Sequence, residues 1–283
     1  MSTVLQRLLV FFIGIPLIIL ITTAAFCNHI ILHIVIVAVS IISTVELHKM
    51  VKERSSVQPL PFVIFLTVTI PIITYFTVAF DWSTHVISLT FIATFLLVMA
   101  KEIFGYDKQT FSFEKSIQRM SSSFFIIFYC GFLISFVSRM TGWEHASVLI
   151  SSFLLLVFSS DSTAWLFGVL LGKNNKNIFK ASPNKSIAGF IGAYLGTLLL
   201  AVLIKYVFWK QIFADVSVVK LILLSVCVTT SSIIGDLAES VFKRCSGFKD
   251  SGNIILGRGG ALDSIDSILL SAPFYFIFIK YMF

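Results

Sequence analysis

The chain has 283 residues, of which 57% are hydrophobic and only 12% charged, with 30 phenylalanines and a formal net charge of +7. Ordinary soluble domains carry about 25% charged residues, so this composition excludes a soluble globular protein and leaves a polytopic integral membrane protein. The apolar runs are continuous rather than alternating, which excludes a β-barrel and predicts an all-α fold.

A helix needs about 20 apolar residues to cross a hydrocarbon core of ~30 Å. Runs of that kind lie near Leu8–Phe26, Ile30–Val45, Leu60–Phe80, Val86–Ala100 and Ser122–Ser138, then Val148–Leu171, Ile187–Trp209, Val216–Ile234 and Ile268–Phe283. They predict about nine transmembrane helices, the second, fourth and ninth being the shortest. Residues 1–145 contain five of these and little chemistry, whereas residues 146–283 contain four and nearly all the motif-like positions.

Cations mark the inner side of a membrane protein. Arg7, the loop with Lys49, Lys52 and Arg54, and the loop with Lys101, Lys108, Lys115 and Arg119 fall on one side of the predicted spans. Lys173, Lys176, Lys180, Lys185, Lys243, Arg244, Lys249 and Arg258 fall on that side too, making 16 of the 21 Lys and Arg. The opposite connections (Cys27–His29, Asp81–His85, Arg139–Ala146, Lys210–Asp215) are short and poor in cations. A cytoplasmic N-terminus, an external C-terminus and cytoplasmic polar segments follow. The positive charge then reflects topology and anionic head groups, with no nucleic acid required. The four cysteines are scattered, without a CxxC pair, which argues against a disulfide framework or a zinc site. The first run lacks a clear small-residue cleavage site and is expected to stay as a helix.

Gly235–Ser267 packs five acidic and four basic side chains between two hydrophobic runs. Charges at a membrane boundary are expensive and functional by default. If the eighth helix continues through Arg244, then Asp236, Glu239 or Ser240, and Lys243 share one face. Ser246–Gly260 holds five glycines and cannot be a regular helix. There, backbone amides of glycines such as Gly259 and Gly260 can approach phosphate oxygens, with Lys249 and Arg258 as countercharge. Asp263 and Asp266, three apart, share a face at the start of the ninth helix. Carboxylates so close repel unless cations intervene, and magnesium suits one or two carboxylates with phosphate oxygens; a second cation would complete a two-ion arrangement. The competing reading is a solvated loop whose acids and bases pair.

A second cluster is expected on the same side. Asp161 lies within an otherwise apolar helix, followed by Gly168, Gly172 and Lys173. Ser182-Pro183 reads as an N-cap with proline in the first turn, pointing amides at an anion that Lys185 would reinforce.

These segments resemble a known family. The run Ser240-x-x-Lys243-Arg244-x4-Lys249-Asp250-x-Gly252, continuing to Gly259-Gly260-x-x-Asp263-x-x-Asp266-Ser267, is similar to the C-terminal signature of phosphatidate cytidylyltransferases, also called CDP-diacylglycerol synthases. Asp161, Gly168, Gly172-Lys173 and Ser182-Pro183-Asn184-Lys185-Ser186 resemble that family's other recurrent segments. The similarity covers the C-terminal half in detail; in the first half only the helix pattern agrees. It implies transfer of a cytidylyl group from CTP to phosphatidic acid with magnesium, giving CDP-diacylglycerol and pyrophosphate, at a bacterial cytoplasmic membrane, with the homodimer as one arrangement left open. It assigns Asp236 and Asp263, assisted by Asp266, as metal ligands. Lys243, Arg244 and Lys249 would hold phosphates, with Asp250 also in the catalytic set. Asp161, Lys173, Ser182, Lys185, Ser240, Arg258, Gly259 and Gly260 would complete the substrate pocket.

The chain departs from the family pattern at three places. Leu256-Gly257-Arg258-Gly259-Gly260 stands where Pro-x-His-Gly-Gly is usual, Asp263-Ser264-Ile265-Asp266 where Asp-Arg-x-Asp is usual, and Ala188 where an acid is usual. Arg258 cannot shuttle a proton near neutral pH but can grip phosphate and compensate for the arginine missing at Ser264. The carboxylates survive, which implies a divergent active enzyme. Two alternatives are a CTP-dependent polyprenol-type lipid kinase and a membrane transporter. The transporter expectation of polar broken helices in both halves is not met by charges crowded into one half.

Overall fold

The protein is described by a computed structural model covering residues 13–104, 113–254 and 259–282. The elements are helices: α1 (Ile15–Thr23), α2 (Ile30–Lys52), α3 (Leu60–Ala79), α4 (His85–Phe104), α5 (Ser116–Ile127), α6 (Ser135–Met140), α7 (Ala146–Leu171), α8 (Ile187–Leu203), α9 (Lys210–Phe213), α10 (Val218–Ser246) and α11 (Leu262–Met282). Among the described residues, eight helical segments are long and apolar enough to cross a membrane. They match the second to ninth expected spans. Of the first expected span only part is described, with Ile15–Thr23 helical.

The differences lie at helix ends. The second span was expected to stop at Val45, yet α2 runs on to Lys52 and includes Glu46. The eighth continues without a break through Arg244, as the shared-face reading required, and ends at Ser246. Gly247 follows with a φ of +80°, a left-handed conformation that closes helices and suits glycine. Lys243 and Arg244 in that last turn oppose the negative end of the helix dipole. The helices carry large apolar residues outward, such as Leu89, Leu96 and Ile103 on α4 and Leu195 and Leu199 on α8, which is the surface lipid requires.

The chain divides into two compact units, Met1–Gly142 with Cys245–Ser264, and Trp143–Arg244 with Ile265–Phe283. The glycine-rich segment after α10 therefore packs within the N-terminal unit.

In the first unit, Leu47, Met50, Leu66, Ile70, Ile126 and Ile127 form the fully buried core. It also encloses a polar knot. Arg119 donates to Glu102 through Nε at 3.1 Å and Nη2 at 2.8 Å. Gln58 Nε2 donates to Glu102 Oε1 at 3.0 Å and to the Val98 carbonyl at 2.9 Å.

In the second unit, α7 and α8 pack closely because Gly189, Gly192 and Gly196 of α8 face Ala164, Phe167 and Thr163 of α7. Small residues at such a seam let helix backbones approach where lipid offers no hydrophobic drive. The buried Lys205 donates to the carbonyls of Phe213 and Ala214, each at 2.9 Å, and to that of Val216. Its charge is thereby absorbed by the turn around α9.

Candidate active site

The second unit gathers four carboxylates. Asp161 projects from the middle of α7, Asp236 and Glu239 from α10, and Asp266 from α11. Asp266 is 5% exposed, and Asp236, Glu239 and Asp161 all act on it electrostatically. α10 and α11 come close at this level because residue 235 is glycine: a Cβ there would run into the Asp266 carbonyl. That same glycine opens the polar segment.

Two lysines temper the cluster. Lys185 forms an ion pair with Asp236, and Lys243 pairs with the fully buried Glu239 one turn earlier on α10. Ser267 Oγ donates to Asp161 Oδ1 at 3.3 Å, joining α11 to α7. Arg244 Nε donates to the Ala181 carbonyl at 3.3 Å, tying the end of α10 to the loop after α7. Ser240 is buried beside them on α10.

The loop reading needs one correction. Ser182-Pro183 does not cap the helix. Lys185 N donates to the Ser182 carbonyl in a turn. The N-cap is Ser186, extended at φ −126° and ψ 155°, whose Oγ accepts from Gly189 N at 3.1 Å. Proline fixes the turn ahead of the helix instead of its first residue. The effect is to bring Lys185, immediately before the cap, onto Asp236. Lys173 is exposed just beyond α7, and no described contact ties it or the Ser182 side chain to the carboxylates.

The first unit holds a different arrangement around Asp263. Ser251 N and Gly260 N both donate to Asp263 Oδ2 at 2.8 Å. Gly259 has a φ of +105°, and a Cβ on it would sit 2.5 Å from the same oxygen. Glycine is required there by conformation and by space. The Gly260 amide, expected to face a phosphate, is used on Asp263. Lys249 and Asp250 are exposed on the turn before Ser251. Arg258 lies outside the described residues.

Two acidic residues of these clusters were not among the expected site residues. Glu239 sits on the expected face of α10 as the buried partner of Lys243. Glu46 comes from α2, in the half of the chain that showed no motif, and accepts hydrogen bonds from Ala261 N at 3.0 Å and Leu262 N at 2.9 Å. The signal for it was an acid directly after an apolar run, weaker than the acid inside an apolar run that singled out Asp161.

Among the described residues, no three His, Cys, Asp or Glu side chains converge tightly enough to hold a metal ion by themselves. The donor chemistry nevertheless fits magnesium, which takes hard oxygen ligands, commonly one or two carboxylates completed by water and phosphate. The carboxylates that act on Asp266 offer donors of that kind.

A sequence model described as the cytidylyltransferase family matches residues 5–282. A phosphatidate cytidylyltransferase of Haemophilus influenzae is 40% identical over 134 residues, covering 47% of this chain and 46% of that protein. Proteins of the same name from Staphylococcus haemolyticus and Staphylococcus aureus are 32% and 34% identical over 200 and 189 residues. Those matches cover 68% and 66% of this chain, and 69% and 65% of the relatives. The chain thus spans from about half to two thirds of the length of these relatives.

Proposed function

This chain belongs to the cytidylyltransferase family, and we propose that it transfers the cytidylyl group of CTP to phosphatidic acid at a membrane. The observation that carries the reading is the set of carboxylates and lysines around Asp266, in a chain matched by that family over nearly its whole length. A phosphatidate oxygen attacks the α-phosphorus of CTP; the new O–P bond forms as the bond to the β,γ-diphosphate breaks, releasing pyrophosphate. The attacking oxygen is already anionic, so no proton has to be removed. Catalysis is then positioning and charge neutralisation, which matches a site of Asp, Lys and Arg with histidines absent from both polar segments.

Asp236 and Asp266 would hold magnesium, and Asp263 joins them on the strength of the signature. When bound, the ion would screen the phosphate charges and polarise the α-phosphate. Lys185 stands beside Asp236 and would also be placed to meet a substrate phosphate. Lys243, Arg244 and Lys249 would grip the triphosphate, with Arg258 as a further fixed cation. Asp161, donated to by Ser267, would shape the wall of the pocket on α7. The distribution of cations supports a cytoplasmic placement of the polar segments, where CTP is available, and the bacterial relatives support a bacterial cytoplasmic membrane. The comparisons favour neither the lipid-kinase nor the transporter reading.

Purified protein incubated with CTP, phosphatidic acid and magnesium should form CDP-diacylglycerol and pyrophosphate, and Asp263→Ala should lose this activity. Failure of the wild type to form that product, or an unaffected variant, would sink the assignment.

A further inference from the structure

We propose that Glu46, on α2, is a positioning residue that holds Ser251 and the turn at residues 259–263 in their working arrangement from outside the signature. The inference rests on the reading of Asp263 as a residue of the cytidylyl-transfer site. The Glu46 carboxylate is 6% exposed and spends both oxygens on the turn. Oε1 accepts from Ala261 N, and Oε2 accepts from Leu262 N. Those two amides belong to the opening of α11, where a helix has unsatisfied donors and a positive dipole end. Glu46 is therefore a cap supplied by a residue more than 200 positions away in sequence.

The link to Asp263 runs through Ser251. Its Oγ lies 2.9 Å from Glu46 Oε2 and 2.9 Å from Asp263 Oδ2. A hydroxyl has one proton to give, so Ser251 Oγ donates to one carboxylate at a time and stands as the shared partner between Glu46 and Asp263. The space is shaped to match. A Cβ at residue 260 would strike Ser251 Oγ and come within 2.6 Å of Glu46 Oε1, and one at 252 would strike Glu46 as well. Gly252 and Gly260 of the signature are thus explained by the carboxylate of α2 that fills the room a side chain would need. Without Glu46, Ser251 loses one of its two partners and the first amides of α11 lose their acceptor. Asp263 then keeps its donors on a turn that has lost its hydrogen bonds to α2.

The closing experiment compares the wild type with Glu46→Gln, Glu46→Asp and Ser251→Ala by peptide-resolved hydrogen exchange and by steady-state kinetics. Glu46→Gln should speed exchange in peptides covering 259–263 by about ten-fold while leaving α3 peptides unchanged. Its kcat should fall roughly 10–100-fold, as for residues that orient a ligating carboxylate, with KM for CTP and for lipid within about two-fold. Glu46→Asp should retain more kcat than Glu46→Gln. If Glu46→Gln does not fold, Ser251→Ala carries the test, because it deletes no charge and should loosen the same amides. Unchanged exchange at 259–263, equal loss of protection in α3, or an effect on KM alone would overturn the proposal. If the wild type makes no CDP-diacylglycerol, the assignment of function falls, whereas the exchange data still decide whether Glu46 holds the turn.

Discussion

Each unit buries acidic side chains in a helical, largely apolar setting, and the two do so in opposite ways. In the first, Glu102 meets a two-pronged arginine and a glutamine amide, so its charge and lone pairs are matched by donors from its own unit. In the second, Asp266 is buried with Asp161, Asp236 and Glu239 as its electrostatic neighbours. A matched charge is a structural device, whereas like charges gathered at one place are tolerated where a ligand supplies what is missing. The contrast separates a knot that holds helices together from a cluster that, on the proposed function, cations and phosphates would complete.

The sharpest way to break this distinction is to delete one charge from each. Arg119→Ala strands Glu102 in the core and should cost about 3–5 kcal/mol of stability, read as a large fall in thermal midpoint in detergent; an unchanged midpoint would show that the pair is not structural. Asp266→Asn should do the reverse. Turnover should drop on the order of 100-fold, while the midpoint holds or rises because a like-charge repulsion is relieved. A destabilised Asp266→Asn with normal turnover would make that centre structural too.

Two smaller effects sharpen the comparison inside the second unit. Lys205→Met removes a buried cation whose carbonyl partners are all local; stranding them should cost about 1–3 kcal/mol and leave turnover per folded molecule unchanged. A loss of turnover would place Lys205 in the machinery. Ser186→Ala removes the cap of α8 and should cost about 1 kcal/mol. Since Ser186 adjoins Lys185, a modest rise in KM for CTP is expected with it, measured by initial rates across CTP concentrations.

The helices were legible because lipid allows one solution for a long apolar run, and such runs need no partner to be recognised. Asp161, Asp236 and Asp266 were legible for the complementary reason: a carboxylate in that setting needs an explanation. What stayed hidden depended on contacts distant in sequence. Glu46 looked like a loop residue as long as α2 was taken to end at Val45, since hydropathy marks where the membrane stops and says nothing of where the helix does. The N-cap was expected at Ser182 but lies at Ser186, because Ser-Pro and Ser-x-x-Gly are both acceptable openings, and the choice between them is made by the Gly189 amide. The glycines of the signature pointed to a phosphate cradle, whereas two of them give room to Glu46, whose part in the turn no local pattern encodes.

The length of α10 has a consequence for where the chemistry can happen. Its 29 residues extend about 43 Å at 1.5 Å each, well beyond a hydrocarbon layer of ~30 Å. Counted from Val218, Asp236 stands about 27 Å along and Lys243 about 38 Å. With Val218 at the far face of a membrane, the helix would act as a depth gauge, its carboxylate near the edge of the oil and its cation among the lipid phosphates. On the proposed function, a diacyl substrate served at that level would keep both tails in the bilayer, and only the small water-soluble nucleotide would have to travel. Extraction of the lipid from the bilayer would then drop out of the proposed reaction cycle.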